Sequence, residues 1–199
     1  MKRTVMIFFA LALALTSTYA QAPSQPPAQS NCMLTVRGIR LGMSLQQLLA
    51  LFPANSKRKE TRDAIEKART AANNETVYVA FDPASEGSSE QFGGVDSVSA
   101  GIYKGQVVDF TVLYVGPTWR TIDEWVNKLA ETFKLPNAKA WTVGPSENPN
   151  RMLTCKTIIV EAEIQGGGGS IRVRDTEHDK EMENQKEARE EKKRREFKP

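Results

Sequence analysis

The clearest pattern of apolar and polar positions lies in the stretch RGIRLGMSLQQLLALFP, residues 37–53. Four apolar residues recur there at i, i+3, i+4 and i+7, the spacing of one helical face: Leu45, Leu48, Leu49 and Phe52. Ser44 and Gln47 form a capping box at the start of this face, and Pro53 ends it. The pattern predicts a short capped helix. Because each patterned residue serves helix initiation, burial or termination, we interpret the stretch as part of the frame of the fold.

Two more helices are predicted further along the chain. Residues 60–72 carry a thin apolar stripe beside a mixed set of charges. Those charges are either the solvated side of a surface helix, which we favour, or a basic binding face. The stronger helix begins at Thr121, which forms a second capping box with Glu124, and Pro136 closes it. Its apolar face repeats at helical spacing through Ile122, Trp125, Val126, Leu129, Ala130 and Phe133.

Strands are predicted between and after these helices. Stretches with strand-like composition lie at 34–39, 76–81, 139–143, 152–165 and 170–174. Apolar residues alternate over 98–102, the dipeptide Lys104-Gly105 supplies a two-residue turn, and the alternation resumes from Val108 onward. The pattern predicts a β-hairpin there, preceded by a polar loop over residues 83–94.

Four consecutive glycines at 166–169 suggest either a phosphate loop or a hairpin turn. A phosphate loop needs a helix behind its glycines, whereas the strand-like IRVR follows here. We therefore predict a hairpin in which Gln165 lies opposite Ser170. This register pairs two acidic with two basic residues, Glu163 with Arg172 and Glu161 with Arg174. It also places four apolar residues on the opposite face: Ala162, Ile164, Ile171 and Val173.

Together these elements predict an α+β protein with an antiparallel β-sheet packed by two or three helices. The two capped helices align with each other, and a set of strands follows each of them. The folded part at 32–175 is therefore either one α+β domain or two tandem helix-plus-sheet units at 33–116 and 117–175. Any two amphipathic helices with capping boxes would align equally well, so both alternatives stay open.

Both ends of the chain differ from this body. Residues 1–20 have a basic head, an apolar run too short to span a bilayer and a small-residue cleavage site, which is typical of a signal peptide. Residues 21–31 are rich in Pro, Gln and Ser and predict an extended linker. Residues 176–199 mix acidic and basic groups, which predicts a charged, solvated helix. That helix either solubilises the protein or touches an anionic envelope surface.

Removal of the signal peptide leaves a near-neutral chain. The full sequence has a net charge of +3, and loss of Lys2 and Arg3 brings it to +3 − 2 = +1. A chain with this charge has no general electrostatic affinity for nucleic acid. No second long apolar run follows, so we expect an exported protein, periplasmic or extracellular, that does not stay inserted in the membrane.

The two cysteines, Cys32 and Cys155, are predicted to form a disulfide, because pairing is the default in an exported protein. Such a bridge would close a loop of 155 − 32 + 1 = 124 residues. The competing hypothesis is a reactive thiol with a histidine base. It is weak, because the one histidine, His178, lies in the charged tail.

No catalytic constellation emerges from the residue types. Without a histidine in residues 32–175, a Ser–His–Asp site is excluded, and two distant cysteines with one tail histidine cannot supply a tetrahedral zinc site. Carboxylates occur in the body, but no pair stands out as the acid and base of a glycosidase. We therefore assign no catalytic residue, no metal and no cofactor, and we favour a protein that is not an enzyme.

Aromatic residues cluster around the sequence YVGPTWRTIDEW. Trp125 lies on the apolar helix face and is predicted to be core. Trp119 lies in a Gly-Pro loop, where it either packs over the helix start or is exposed as an anchor for a partner or a flat ligand. With Arg120 beside it, and with Tyr114 and Trp141 nearby, this loop is the predicted contact site.

The string GIRLGMSLQQLLALFP resembles the opening of the small envelope modules of the BamE (SmpA/OmlA) group, in which a glycine-led start precedes a short helix and a three-stranded antiparallel sheet. A tandem of such units resembles the β-lactamase inhibitory protein. This chain lacks the lipidated cysteine of that group, and Phe52 stands where the group tends to have glycine before the proline. The resemblance implies a protein-binding or scaffolding module and carries no catalytic residue.

On these grounds we expect a non-enzymatic binding or scaffolding module that contacts another envelope or secreted protein. The alternative is a small-molecule or glycan-binding protein, or a weak hydrolase, with a pocket lined by aromatic residues. A packed core with Trp119 on a convex surface would favour the first. A cavity of ligand size with Trp119 or Trp141 at its mouth, beside a carboxylate of raised pKa, would favour the alternative.

Overall fold

The computed structural model of the protein describes residues 34–71, 75–86 and 90–198. They form an α+β fold built on a seven-stranded antiparallel sheet. The α-helices are α1 (Leu45–Leu51), α2 (Lys59–Thr70), α3 (Ile122–Phe133) and α4 (Thr176–Glu196). The strands are β1 (Val77–Phe81), β2 (Val95–Tyr103), β3 (Gln106–Tyr114), β4 (Thr142–Val143), β5 (Asn150–Cys155), β6 (Ile158–Gln165) and β7 (Gly168–Asp175).

The strand order across the sheet is β1-β2-β3-β7-β6-β5-β4. The first three strands form one meander, and the last four form a second. The two meanders join in the middle of the sheet, where β3 pairs antiparallel with β7. The first meander follows α1 and α2 along the chain, and the second follows α3. The last strand of each meander, β3 and β7, forms the pair that joins them. Whether the two halves arose by duplication stays a prediction.

One apolar core lies between the sheet and the helices α1, α2 and α3. A row of side chains crosses six strands in register on this face, and each of its members is buried: Val79, Ala100, Phe110, Val173, Val160 and Leu153. Burial of this apolar surface is the main favourable term that holds the helices on the sheet.

The capping box predicted for α1 is confirmed. The backbone N–H of Gln47 donates to the Ser44 hydroxyl at 3.2 Å, and the Gln47 side chain accepts from the Ser44 N–H at 2.9 Å. At the other end of α1, the fully buried ring of Phe52 stacks between two other rings. Its ring centroid lies 4.3 Å from that of Phe81 and 4.7 Å from that of Phe92.

The strand predicted over residues 34–39 is wrong. Val36 and Ile39 pair with each other across a tight turn, with two hydrogen bonds of 2.9 Å. Arg37 and Gly38 occupy this turn with φ values of 55° and 87°. Two consecutive residues with positive φ reverse the chain at once, so the apolar residues flank a turn instead of extending a strand.

The helix and the strand predicted around residues 60–81 are both present in the structure. The predicted second helix is α2, although Ala72 lies outside the described residues, and the strand predicted at 76–81 is β1. The predicted polar loop contains two short 3₁₀-helices, Pro83–Glu86 and Glu90–Phe92.

Glu86 joins this loop to the segment after α1. Its carboxylate accepts hydrogen bonds from the backbone N–H groups of Ala54 at 2.8 Å and Asn55 at 2.7 Å, and from the Asn55 amide at 2.6 Å. Partial burial acts to raise the pKa of Glu86, but the hydrogen bonds outweigh it and hold the pKa below its ordinary value.

The hairpin of β2 and β3 is confirmed, but its alternation is not the predicted one. Gly101 pairs with Asp109 and Ile102 pairs with Val107, so Val108 is an extra residue on β3. This β-bulge turns Val107 into the core and leaves Val108 partly exposed. A regular alternation counted back from Phe110 therefore fails at this position.

Three strand predictions near the C-terminus are corrected. The stretch predicted at 152–165 is two strands, because Lys156 takes a positive φ of 52° and the chain turns between β5 and β6. The stretch at 139–143 is a 3₁₀-helix, Ala138–Ala140, followed by the two residues of β4. The glycine run does form a hairpin, but its turn has two residues, Gly166 and Gly167.

That shorter turn shifts the register by two residues. Ser170 lies opposite Glu163 and Arg172 lies opposite Glu161, whereas Arg174 lies opposite Ile159. A shift of two keeps every side chain on its predicted face, so Ala162, Ile171 and Val173 remain together in the core.

The first turns of the charged tail pack on the sheet face opposite α1, α2 and α3. His178 is buried, its ring lies 4.5 Å from that of Tyr103, and its Nε2 lies 2.9 Å from the Thr76 hydroxyl. The Tyr103 hydroxyl also donates to Glu181 at 2.7 Å. Helix α4 was correctly predicted as a charged helix, but the expectation that it is solvated throughout is wrong.

Candidate functional site

An aromatic pocket of about 310 Å³ opens at the surface along the face of α3 that carries Trp125, Leu129 and Phe133. Its walls come from the Arg37 turn, the loop after the second 3₁₀-helix, the end of β3 with the following loop, and one face of α3. The side chains and backbone that define it include Arg37, Gly93, Tyr114, Trp119, Trp125 and Leu129. We call this cavity the aromatic pocket.

Trp125 is the fixed wall of the aromatic pocket. It is buried on the apolar face of α3, as the helical spacing predicts, and its indole N–H donates to the carbonyl of Ser170 at 2.8 Å. Its ring passes over Gly169, where an added Cβ would come within 2.6 Å of the indole. Glycine is therefore needed at this position of β7 for α3 to approach the sheet.

Trp119 and Tyr114 complete the aromatic wall. The Trp119 ring lies 5.2 Å from the Trp125 ring and the Tyr114 ring lies 5.4 Å from it, between ring centroids. The Trp119 backbone N–H donates to the carbonyl of Gly167 at 3.3 Å, which fixes the loop on the β6–β7 turn. Trp119 is partly buried, so it both packs near the start of α3 and presents apolar surface to the pocket.

Arg37 stands at the mouth of the aromatic pocket. Its guanidinium donates to the carbonyl of Gly93 at 2.8 Å and lies 5.8 Å from the centroid of the Tyr114 ring. Its own carbonyl accepts from the Gln91 amide at 2.8 Å. These contacts hold Arg37 in a left-handed conformation that residues with a Cβ seldom adopt.

The electrostatics of the aromatic pocket are those of an apolar cleft with cations at its edge. Burial raises the pKa of Tyr114, and the neighbouring Arg37 lowers it by less, so the phenol is neutral near pH 7. Lys128 is the second cation of the lining, and it pairs with Glu131 at 3.2 Å on the exposed side of α3. None of the described residues that line the pocket is acidic.

The structure brings together two of the four predicted contact residues. Tyr114 and Trp119 line the aromatic pocket, whereas Arg120 and Trp141 do not. Arg120 is exposed, and its backbone N–H donates to Glu124 at 3.1 Å, which takes that carboxylate away from the predicted capping box. Trp141 is buried, and its indole N–H donates to the carbonyl of Pro136 at 2.9 Å, so it fixes the segment after α3.

Only one of the two cysteines of the predicted disulfide lies in the described residues. Cys155 is buried at the end of β5, and Cys32 lies outside the described residues. Their pairing stays a prediction.

Sequence reasoning missed Arg37, Gly93 and the α3 residue Leu129 as pocket residues. Arg37 and Gly93 come together from positions 56 residues apart. The one local signal was Gly38, a glycine that can mark a bend inside the stretch predicted as a strand, and the strand prediction obscured it.

A second polar cluster lies on the open face of the sheet. Asp109 is buried and accepts hydrogen bonds from Arg172 Nε at 3.1 Å and from the Tyr78 hydroxyl at 3.1 Å. The hydrogen bonds to Asp109 raise the pKa of the Arg172 guanidinium, and burial followed by the Asp109 charge raises that of Tyr78. Both carboxylate oxygens are occupied, so this cluster holds β1, β3 and β7 together and has no free base to offer a substrate.

Larger grooves exist, with volumes of about 710 Å³ beside α1 and α2 and about 530 Å³ along α4 and along α2. None of the described residues that line them is aromatic, and each groove is lined in part by charged side chains. In residues 34–71, 75–86 and 90–198, no three His, Cys, Asp or Glu side chains are placed to hold a metal ion. Over the same ranges, no helix has the length and apolar character needed to cross a bilayer.

Comparison with known proteins gives no relative. No family model, no curated protein and no solved structure matches this chain. The resemblance to the BamE group therefore stays a prediction, and the chemistry of the aromatic pocket has to be argued from its own residues.

Proposed function

We propose that the protein is an exported, non-enzymatic binding module, and that the aromatic pocket receives an apolar side chain of a partner protein in the envelope or outside the cell. The observation that carries this proposal is the partly buried Trp119 at the wall of an open, ligand-sized cavity. Surface aromatic residues in well-packed pockets supply most of the binding energy at protein interfaces.

The size of the aromatic pocket supports this use. Its volume of about 310 Å³ is at the lower end of small-molecule sites. One or two large side chains fill such a space. The neighbouring Val115 is 64 % exposed, so apolar surface continues from the pocket onto the loop and would widen a contact with a partner.

The lining favours binding over chemistry. The described residues around the pocket include two cations and several aromatic rings, but no carboxylate, histidine or cysteine that could act as base or nucleophile. Trp119 lines the cavity and does not lie on a convex surface, so the cavity by itself fits the alternative function as well. The carboxylate of raised pKa that was expected beside such a cavity is absent from its described lining.

Photocrosslinking from a matched pair of positions tests the proposal. A photoreactive benzoyl-phenylalanine at Val115 reports from the edge of the pocket, and the same residue at Val143, which is 75 % exposed on β4, is the control. Illumination of intact cells should give a discrete protein adduct from position 115 that is absent from position 143. Trp119→Ala should remove that adduct. Equal adducts from both positions, or an adduct that survives Trp119→Ala, would refute the proposal.

A second candidate function follows from the cavity volume alone. A free apolar molecule could occupy the same pocket, since its volume also lies within the range of small ligand sites. If the protein copurifies with a small organic compound, and if addition of that compound prevents crosslinking from position 115 in wild-type protein, the second candidate is correct.

A further inference from the structure

We propose that the aromatic pocket selects an apolar group that carries a negative charge, and that Arg37 is the residue that meets this charge. The inference rests on the proposed function, because it names the chemistry of the group that the pocket binds. In a partner protein this group is a large apolar side chain with an Asp, a Glu or the terminal carboxylate next to it.

The first reason is that Arg37 is placed from three sides. Its guanidinium donates to the carbonyl of Gly93 at 2.8 Å and lies over the Tyr114 ring. Its backbone carbonyl accepts a hydrogen bond from the Gln91 amide. A guanidinium fixed in this way loses little side-chain entropy when an anion binds. It has five N–H donors in a planar fork, and the bond to Gly93 uses only a part of them.

The second reason is the charge around Arg37. Among the described residues, no carboxylate lies within 4.0 Å of its guanidinium, in contrast to the guanidinium groups of Arg151 and Arg172. Exposed arginines such as Arg40 and Arg62 also have no such partner among these residues, but Arg37 differs from them in lying at the mouth of the pocket. The described pocket lining contains no acid, and its other cation, Lys128, is paired with Glu131 at 3.2 Å on the exposed side of α3. Aromatic walls of low dielectric strengthen the field of an uncompensated cation at their edge.

The third reason is the backbone of the Arg37 turn. Arg37 and Gly38 both have positive φ. The first residue of such a pair is most often Asn or Gly, because an arginine side chain adds steric strain at positive φ and makes no hydrogen bond that stabilises the turn. A strained backbone conformation persists where many surrounding contacts hold the residue in place, and such residues are more frequent at functional sites. Lys104 and Gly105 form the same pattern in the β2–β3 turn, so the fold tolerates a long cation at such a position. What sets Arg37 apart is that its head group contacts Gly93 and Tyr114 at the pocket mouth.

Two dyes that differ by one anionic group test the inference on the full chain. 1-Anilinonaphthalene-8-sulfonate carries a sulfonate, and N-phenyl-1-naphthylamine has the same rings without it. Binding of each is followed by dye fluorescence and by energy transfer from tryptophan. Wild-type protein should bind the sulfonate about tenfold more tightly, since a charge-assisted hydrogen bond contributes a preference of that order.

The variants separate charge from folding. Arg37→Gln should remove the preference and leave affinity for the neutral dye within about twofold, because the apolar walls are unchanged. Arg37→Lys should keep a preference for the sulfonate, which also shows that the turn still folds. Arg40→Gln is the matched control, since Arg40 is an exposed arginine outside the pocket lining, and it should behave as wild type.

The outcomes distinguish this inference from the proposed function. Equal affinity for the two dyes in wild type, or a preference that survives Arg37→Gln, overturns the inference while the pocket remains a binding site. If Trp119→Ala leaves the binding of both dyes unchanged, the dyes do not bind in the aromatic pocket, and both the proposed function and this inference are refuted. The peptide crosslinked at position 115 should contain an acidic group next to a large apolar residue, and a peptide without one refutes the assignment of the partner's chemistry.

Discussion

Replacing Phe52 by alanine should destabilise the protein more than any single change on its surface. The Phe52 ring is fully buried and stacks on Phe81 and on Phe92, with interplanar angles of 18° and 29°. Alanine removes the whole ring and leaves a cavity between two aromatic faces. Truncations of this kind cost about 3–5 kcal/mol, with the larger values where the neighbours cannot collapse into the space.

The structure places the expected cost near the middle of that range. Phe81 belongs to β1 and is held by the sheet, so it cannot move into the cavity, whereas Phe92 lies on a short 3₁₀-helix that can shift. We therefore expect a loss of about 4 kcal/mol in the free energy of unfolding. At roughly 2–4 °C per kcal/mol for a chain of this size, the melting temperature falls by about 8–16 °C.

Urea unfolding followed by circular dichroism measures this change. Phe197→Ala is the matched control, because that phenylalanine is 75 % exposed, and it should alter stability by less than about 0.5 kcal/mol. If Phe52→Ala costs less than about 1.5 kcal/mol with an unchanged dependence on urea, then the ring is not the centre of a rigid stack, and the reasoning is refuted.

Three further predictions concern other parts of the fold. Thiol labelling of the unfolded protein, purified without reductant, should find neither Cys32 nor Cys155 reactive, and reduction should cost up to about 4–5 kcal/mol of stability; two reactive thiols would refute the bridge. Gly169→Ala should cost about 1–3 kcal/mol, because its Cβ would meet the buried indole at 2.6 Å, whereas Gly116→Ala, which has open space around it, should be neutral; equal effects would contradict the close approach of α3. The lowered pKa of Glu86 contributes stability above the ordinary glutamate pKa that is lost as pH falls through the folded-state pKa. Glu86→Gln should therefore destabilise the protein at pH 7, with an effect that shrinks as pH falls below the ordinary glutamate pKa; a penalty independent of pH would show that the charge plays no part.

The elements with local signals were the ones that the sequence predicted. The capping box of Ser44 and Gln47 needs only residues three apart, and the apolar face of α3 needs only helical spacing. Both are present in the structure. The charged helix α4 followed in the same way from its composition.

The errors share a different physical cause, since each concerns an interaction that the sequence pattern does not encode. The β6–β7 hairpin satisfies its apolar alternation equally well in registers that differ by two, and the turn at Gly166 and Gly167 decides between them. The bulge at Val108 is set by pairing across β2. Burial of His178 depends on Tyr103, which lies 75 residues earlier in the chain.

The lining of the aromatic pocket was predicted in part for the same reason. Tyr114 and Trp119 stood out because aromatic residues in a Gly-Pro loop are a local signal, and both line the pocket. Trp141 looked equivalent, but a hydrogen bond to the carbonyl of Pro136 gives it a structural role. Arg37 could not be found from spacing, since it reaches the pocket through contacts with residues 54 and 56 positions away.

The aromatic stack and the aromatic pocket are physically connected through Phe92 and the residue that follows it. The ring of Phe52 fixes Phe92, and the next residue, Gly93, accepts the hydrogen bond from Arg37. A glycine at position 52 would leave Phe92 without its partner, and the loop that positions the arginine would lose its anchor. Phe52 therefore links the end of α1 to the mouth of the pocket, so the same ring that stabilises the core also holds the cation that we assign to binding.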